Sequence, residues 1–114
     1  MYGFETIDAA TLAQWLDAGK RVRLVDVRSP VEVARGVLPG ADAIPLHMVP
    51  IFPPRPSSDE VLVFYCQSGA RSAQACRYMS QHGVAEPHNL AGGIIAWARL
   101  GFPIVAPDER LMAG

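Results

Sequence analysis

The stretch VLVFYCQSGARS, residues 61–72, contains an apolar run that stops at a cysteine. Val61 to Tyr65 is β-branched and aromatic without interruption, which predicts a strand buried on both faces. From Ser72 to Gln81 the apolar residues recur at helical intervals. The sequence therefore predicts a strand, a short turn around Cys66, and an amphipathic helix that starts just after the turn.

Cys66 stands where a reactive thiol is expected. Unpaired N–H groups of residues 67–72 would point at its sulfur, and the helix dipole with Arg71 would favour negative charge there. These conditions lower the pKa of a thiol and hold an anionic sulfur species. The alternative is a small buried hydrophobe at a strand end. The glycine and arginine at these offsets favour the reactive interpretation.

Composition limits the remaining possibilities. The chain has 114 residues, of which 50% are hydrophobic and 18% charged, so residues 1–114 are expected to form one well-filled domain. The net charge of -1 and the scattered basic residues give no basic face, which argues against nucleic acid and anionic membrane as partners.

The expected location is the cytoplasm. The N-terminus lacks the charged and apolar regions of a signal peptide, and no apolar run is long enough to span a bilayer. The two cysteines, Cys66 and Cys76, are expected to be free thiols in a reducing compartment and not a structural disulfide.

Strand and helix patterns alternate along the chain. The predicted strands are Phe4–Ile7, Val22–Val27, Ala43–Leu46, Val61–Tyr65 and about His88–Leu90. The predicted helices run from the cap Asp8 through Ala18, briefly from Pro30, from Ser72 to near Gly83, and over Gly93–Leu100. Alternation of this kind predicts an α/β domain, a parallel sheet with helices on both faces. Pro50–Ser58, with four prolines, is predicted to be a loop.

Ligands of such a sheet bind beyond the carboxyl ends of its strands, where Cys66 lies. We expect Asp26 to accept hydrogen bonds from loop N–H groups or to pair with an arginine, and Arg28 to brace the strand end. Both are expected to support the site without taking part in chemistry. Gly92 and Gly93 are interpreted as a tight turn and not as a nucleotide site. The histidines show no metal-site spacing, and only His47 is a candidate for the rim of the site.

Three motifs occur in order between about Ile7 and Ile104. They are Asp26-Val27-Arg28 with Glu32, Gly36 and Leu38-Pro39-Gly40-Ala41; Cys66-Gln67-Ser68-Gly69-Ala70-Arg71; and Leu90-Ala91-Gly92-Gly93-Ile94 with Trp97, Gly101 and Pro103. Together they resemble the signatures of the rhodanese family. The resemblance implies five parallel strands in the order 1-5-4-2-3 and sulfur transfer through a cysteine persulfide.

The chain also departs from the family pattern. Val37 replaces a histidine found in many members, and Val33 replaces an aromatic residue; both are interpreted as packing positions. Gln67 replaces the basic residue of members that use thiosulfate, which leaves Arg71 as the only charge in the loop. The sequence therefore predicts a weak hold on thiosulfate and more efficient loading from a persulfide, with the Pro50–Ser58 loop at the predicted mouth as a surface for a protein donor.

The resemblance implies a two-step covalent exchange. The Cys66 thiolate takes the outer sulfur of thiosulfate or a persulfide and passes it to a thiol or to cyanide, without a metal or organic cofactor. A protein donor or acceptor is a further candidate partner. The residues implied to bind the donor are Gln67, Ser68, Gly69, Ala70, Arg71 and Ser72.

Two other functions remain open from the sequence. One is a non-enzymatic persulfide carrier or binding module, which the retained Cys66 does not separate from an enzyme. The other is a phosphatase or arsenate reductase. Those enzymes need a cradle one residue longer than the four residues between Cys66 and Arg71, which makes this function the less favoured of the two.

Overall fold

The computed structural model describes residues 3–84 and 86–107, and no helix in these ranges is long and apolar enough to traverse a bilayer. The strands are β1 (Glu5–Ile7), β2 (Val22–Asp26), β3 (Asp42–Ala43), β4 (Val61–Tyr65) and β5 (His88–Leu90). The helices are α1 (Ala9–Asp17), α2 (Pro30–Ala34), α3 (Ala70–Gln81) and α4 (Gly93–Arg99), with a 3₁₀ turn at Leu46–Met48. The strands pair in parallel in the order β1-β5-β4-β2-β3. The predicted fold class and strand order are therefore confirmed.

β4 lies in the middle of the sheet because its side chains are apolar on both faces. It pairs with β2 along its whole length and with β5 on the other side. Successive residues enter two separate cores: Val63 and Tyr65 pack in the core that contains α1, α2 and α4, whereas Leu62 and Phe64 pack in the core that contains α3. Helices cover both faces of the sheet, as predicted.

The helix that follows the cysteine begins at Ala70, two residues before the predicted start at Ser72. Its N-cap is Gly69, whose φ of 111° lies in the left-handed region that glycine adopts without strain. A glycine cap offers no side-chain oxygen, so the common sequence signal of a helix start is missing. The earlier start brings the first amides of α3 next to Cys66.

The third strand is shorter and earlier than the predicted Ala43–Leu46. It comprises only Asp42–Ala43. Leu46 belongs instead to the 3₁₀ turn, which follows Pro45. Proline has no amide hydrogen to donate to a sheet ladder, so the strand cannot continue regularly through it. The prediction that Leu46 lies in a strand is wrong; the other predicted strands agree with the structure to within one residue.

Most of the proline-rich segment Pro50–Ser58 lies away from the cysteine. It lines a hollow of about 610 Å³ with Tyr78 and His82, at the carboxyl end of α3. Cys66 lies at the opposite end of this helix of 12 residues, each of which rises about 1.5 Å. The part of the segment that lines this hollow therefore lies away from the expected mouth of the site, and the use of the segment as a donor surface stays a prediction.

Candidate active site

Cys66 follows the last residue of β4 and lies beneath a loop that turns into α3. The residue is only 1% exposed. Its Sγ accepts a hydrogen bond from the Gly69 amide at 3.0 Å and lies 3.4 Å from the Ser72 hydroxyl oxygen. Backbone amides of Ser68 and Ser72 also favour its negative charge. The sulfur thus faces a group of donors held by a tight loop and a helix start.

The two thiols of the chain have opposite pKa shifts. Burial raises the pKa of the Cys66 thiol, but the Ser72 hydroxyl and the amides of Ser72, Gly69 and Ser68 outweigh it, so the pKa lies below its ordinary value. Burial raises the pKa of Cys76 to about 12, with no hydrogen-bond donors to offset it. At neutral pH the thiolate form is therefore concentrated at Cys66.

Asn89, in β5, holds the loop from the adjacent strand. Its Oδ1 accepts a hydrogen bond from the Ser72 hydroxyl at 2.5 Å, and its Nδ2 donates to the Gly69 carbonyl at 3.2 Å. One side chain thus fixes two of the groups that face Sγ of Cys66. Sequence reasoning missed Asn89. The only sign of it in the sequence is that a polar residue stands directly before the apolar Leu90 in a predicted strand.

The amino end of α4 supports the loop from the other side. The Ile94 amide donates to the Cys66 carbonyl at 3.0 Å, and the Ile95 amide donates to the Gln67 carbonyl at 3.3 Å. A Cβ on Gly93 would overlap both of these carbonyl oxygens. The glycine pair is a tight turn, as predicted, and it also allows α4 to approach the loop closely.

Arg71 directs its guanidinium at Glu32 in α2. Nη1 lies 2.7 Å from Oε1 and Nη2 lies 2.8 Å from Oε2 of the carboxylate. The hydrogen bonds from Arg71 hold the pKa of Glu32 at about 2. Both terminal nitrogens of Arg71 are thus engaged by protein, which the sequence did not predict. Its predicted role of attracting an anionic donor stays a prediction.

Asp26 and Arg28 form a buried ion pair one strand away from the cysteine. They are 0% and 4% exposed, and Arg28 donates to Asp26 from Nε and Nη2, the latter at 2.7 Å. Arg28 also donates to the Gly36 carbonyl at 2.6 Å, and the hydroxyl of the neighbouring Tyr65 accepts from the Leu38 amide at 3.1 Å. These contacts support the predicted bracing role, since they tie the end of β2 to the chain after α2.

The remaining predicted donor-binding residues form the loop itself, and their side chains lie on its outer face. Gln67, Ser68 and Ala70 are exposed. Gln67 also borders a shallow hollow of about 290 Å³ between α2 and α4. Its other lining residues are Arg28, Glu32, Arg35, Gly36, Ile94, Ile95, Ala98 and Ile104. Residues 66–72 thus form a cup around Sγ of Cys66. The cup presents mainly its backbone amides to the sulfur and most of its side chains to the outside.

Known proteins resemble this chain over most of its length. The rhodanese-like domain family matches residues 8–100. A sulfurtransferase of Allochromatium vinosum is 50% identical over 90% of this chain and 95% of that protein, and human thiosulfate:glutathione sulfurtransferase is 37% identical over 85% and 96%. A rhodanese-like domain protein from Staphylococcus aureus has a TM-score of 0.80 at 29% identity, over 92% of this chain and 100% of that one. These relatives support sulfur transfer of the rhodanese type, and this chain belongs to the rhodanese family.

Proposed function

We propose that this protein is a single-domain sulfurtransferase that carries a sulfane sulfur as a persulfide on Cys66. The observation that supports this most directly is that the buried Sγ accepts a hydrogen bond from the Gly69 amide at 3.0 Å, at the start of α3. A thiol in this environment is ionised more readily than an ordinary one, and the same donors can hold a second sulfur that carries the charge.

The first half-reaction loads the cysteine. The Cys66 thiolate attacks the outer sulfur of the donor, an S–S bond forms, and the bond between that sulfur and the rest of the donor breaks. Thiosulfate would leave as sulfite and a persulfide would leave as a thiolate, in each case with the electron pair of the broken bond. No general base is assigned to this step, because the donors around Sγ lower the pKa of the Cys66 thiol and so favour its ionised form.

The second half-reaction returns the enzyme to its starting state. A thiolate or cyanide attacks the outer sulfur of the persulfide, and the Cys66 thiolate departs with the electron pair. The products are a new persulfide or thiocyanate. The cup stabilises Cys66 as a leaving group for the same reason that it stabilises it as a nucleophile, since both roles require a thiolate of lowered pKa.

The donor that we propose is a persulfide, with thiosulfate as a poorer substitute. Gln67, Ser68 and Ala70 bring no positive charge to the exterior of the loop, and Arg71 is engaged by Glu32. The name of the human relative favours thiosulfate as one donor and a small thiol as acceptor. A protein donor or acceptor is compatible with the exposed loop residues. Two free cysteines fit a reducing compartment such as the cytoplasm.

Mass spectrometry of the intact protein tests this proposal. After exposure to glutathione persulfide, and separately to thiosulfate, we expect a gain of one sulfur atom on Cys66 that disappears on addition of cyanide or glutathione. Loading should be faster from the persulfide. A protein that gains no sulfur from any donor would overturn the proposal. A protein that loads but never turns over with a free acceptor would be a carrier instead of an enzyme.

A further inference from the structure

The pair formed by Glu32 and Arg71 is the feature of the site that the proposed mechanism does not use. We propose that Glu32 sets the charge preference of the cup: by holding the guanidinium of Arg71, it makes the site disfavour an incoming molecule the more negative charge that molecule carries. The description of these molecules as sulfur donors rests on the proposed function. The charge preference itself can be measured without sulfur transfer.

The carboxylate is fixed from two directions. Glu32 Oε1 accepts hydrogen bonds from the Ser29 amide and hydroxyl, both at 3.0 Å. The first of these bonds, together with the Glu32 amide that donates to Ser29 Oγ at 3.4 Å, forms the capping box of α2. The same carboxylate meets both terminal nitrogens of Arg71. Because Ser29 holds Glu32 in place, an approaching anion cannot simply push the carboxylate aside, and it has to compete for the guanidinium.

Arg71 is the charge that matters most to an incoming anion. It is the second residue of α3 and the only charged residue between Cys66 and Ser72. Its charge and that of the Cys66 thiolate interact. The carboxylate of Glu32 offsets this charge, because it is hydrogen-bonded to the guanidinium of Arg71. The nearby Arg28 is neutralised in the same way by buried Asp26, so it adds little attraction.

The alternative is that Glu32 only caps α2 and joins it to α3. A glutamine at this position separates the two interpretations. It keeps an oxygen that can accept from Ser29, and glutamine serves in capping boxes as glutamate does. It loses the negative charge that offsets Arg71. A purely structural role predicts no change in how the site distinguishes charged from neutral reagents.

The experiment compares alkylation of Cys66 by iodoacetate, an anion, and iodoacetamide, its neutral analogue. Both react with the thiolate, so any change in the pKa of Cys66 cancels in the ratio of their rates. In Glu32→Gln we expect the iodoacetate to iodoacetamide ratio to rise about fivefold at low ionic strength and to return towards the wild-type value in high salt. Peptide mapping assigns the modified cysteine.

Two further variants make the test specific. Glu5→Gln removes an equal charge from an exposed position on β1 and should leave the ratio unchanged. In an Arg71→Gln background, the additional Glu32→Gln change should raise the ratio much less, because there is no guanidinium to release. An unchanged ratio in Glu32→Gln, or an equal rise without Arg71, would overturn the inference.

Sulfur transfer then links the inference to the reaction. In Glu32→Gln the kcat/KM for thiosulfate, a dianion, should rise several-fold, while that for a small alkyl persulfide, whose anion carries a single charge, should rise less. If the alkylation ratio responds as expected but no donor loads Cys66 in any variant, the proposed function fails and the charge preference stands. If loading proceeds but no variant changes the preference between donors, the inference fails and the proposed function stands.

Discussion

The groups next to each sulfur decide which of the two thiols can react. Cys66 and Cys76 are both buried, at 1% and 0% exposure, so accessibility alone does not distinguish them. The difference is that Cys66 meets hydrogen-bond donors and Cys76 meets the apolar core packed against α3. Reactivity in this chain is therefore set by polar groups within a few ångströms of the sulfur.

Cys66→Ser should reduce sulfur transfer to background, since the hydroxyl neither ionises at neutral pH nor forms a persulfide. Cys76→Ser should retain most of the activity, with a stability cost of about 1–3 kcal/mol for a hydroxyl in an apolar core. Steady-state rates and thermal unfolding measure the two effects. Comparable loss of activity in both variants, when both are folded, would mean that the thiols act as a pair.

Ser72→Ala should raise the pKa of Cys66, because it removes a hydroxyl that helps to stabilise the thiolate. The pH dependence of iodoacetamide alkylation measures this. Ser80→Ala is the matched control, since Ser80 is a buried serine of the same helix that donates to the Arg77 carbonyl. An unchanged pKa would show that the Ser72 proton stays with Asn89 even when the sulfur is charged.

Sequence reasoning singled out Cys66, the proposed nucleophile, but not the partners that hold its surroundings. Cys66 was evident because a strand, a glycine and an arginine flank it at short range. Glu32 is 39 positions from Arg71, and Asn89 is 17 positions from Ser72. No local spacing rule brings such residues together, and they meet only because parallel strands place their carboxyl ends at one edge.

Contacts between elements explain why some boundaries were predictable. β4 and β5 agree with the predicted bounds because apolar runs and polar neighbours define them. α3 starts early because its cap is a left-handed glycine, and the third strand ends early because Pro45 precedes the 3₁₀ turn. In both cases a backbone property overrides the hydrophobic pattern. Val33 and Val37 are buried, which confirms them as packing positions.

Gly93→Ala should displace the loop around Cys66, because its Cβ would overlap the carbonyl oxygens of Cys66 and Gln67. We expect sulfur transfer to fall at least about tenfold and the free energy of unfolding to fall by about 2–4 kcal/mol. Gly101→Ala is the control, since its φ of 78° is also left-handed but nothing lies within 4 Å of the added Cβ. It should lose only about 1 kcal/mol of stability and keep its activity.

Equal effects of the two alanine substitutions would contradict this prediction. Backbone strain would then account for both results, and the approach of α4 to the loop would have no special importance. Denaturant unfolding and sulfur-transfer rates on the same samples separate strain from displacement, because only displacement changes the geometry around Sγ of Cys66.

Over the whole chain, the ion pair of Glu32 and Arg71 links stability to pH. The pKa of Glu32 is about 2 in the folded protein and 4.5 in the absence of partners. A lowered carboxyl pKa contributes stability that is fully present above 4.5 and is lost as the pH falls towards 2. The pair is partly exposed, so its contribution is about 1 kcal/mol.

Urea unfolding of wild type and Glu32→Gln between pH 2 and pH 7 tests this linkage. The wild type should be more stable by about 1 kcal/mol at neutral pH, and the difference should vanish near pH 2. Glu5→Gln should show no such trend, since Glu5 lies exposed at the start of β1. A difference between wild type and Glu32→Gln that stays constant over this range would assign the stability to packing or capping instead of charge.

The exposed side chains of Gln67, Ser68 and Ala70 have a consequence for how this protein could diversify. The groups that face the sulfur are mostly amides of the chain itself, which every amino acid except proline supplies. Substitutions at these three positions, other than to proline, should therefore leave the amides around the sulfur in place, whether they arise by selection or in a combinatorial library. The outer face of this short segment can therefore change while the groups around the sulfur stay the same.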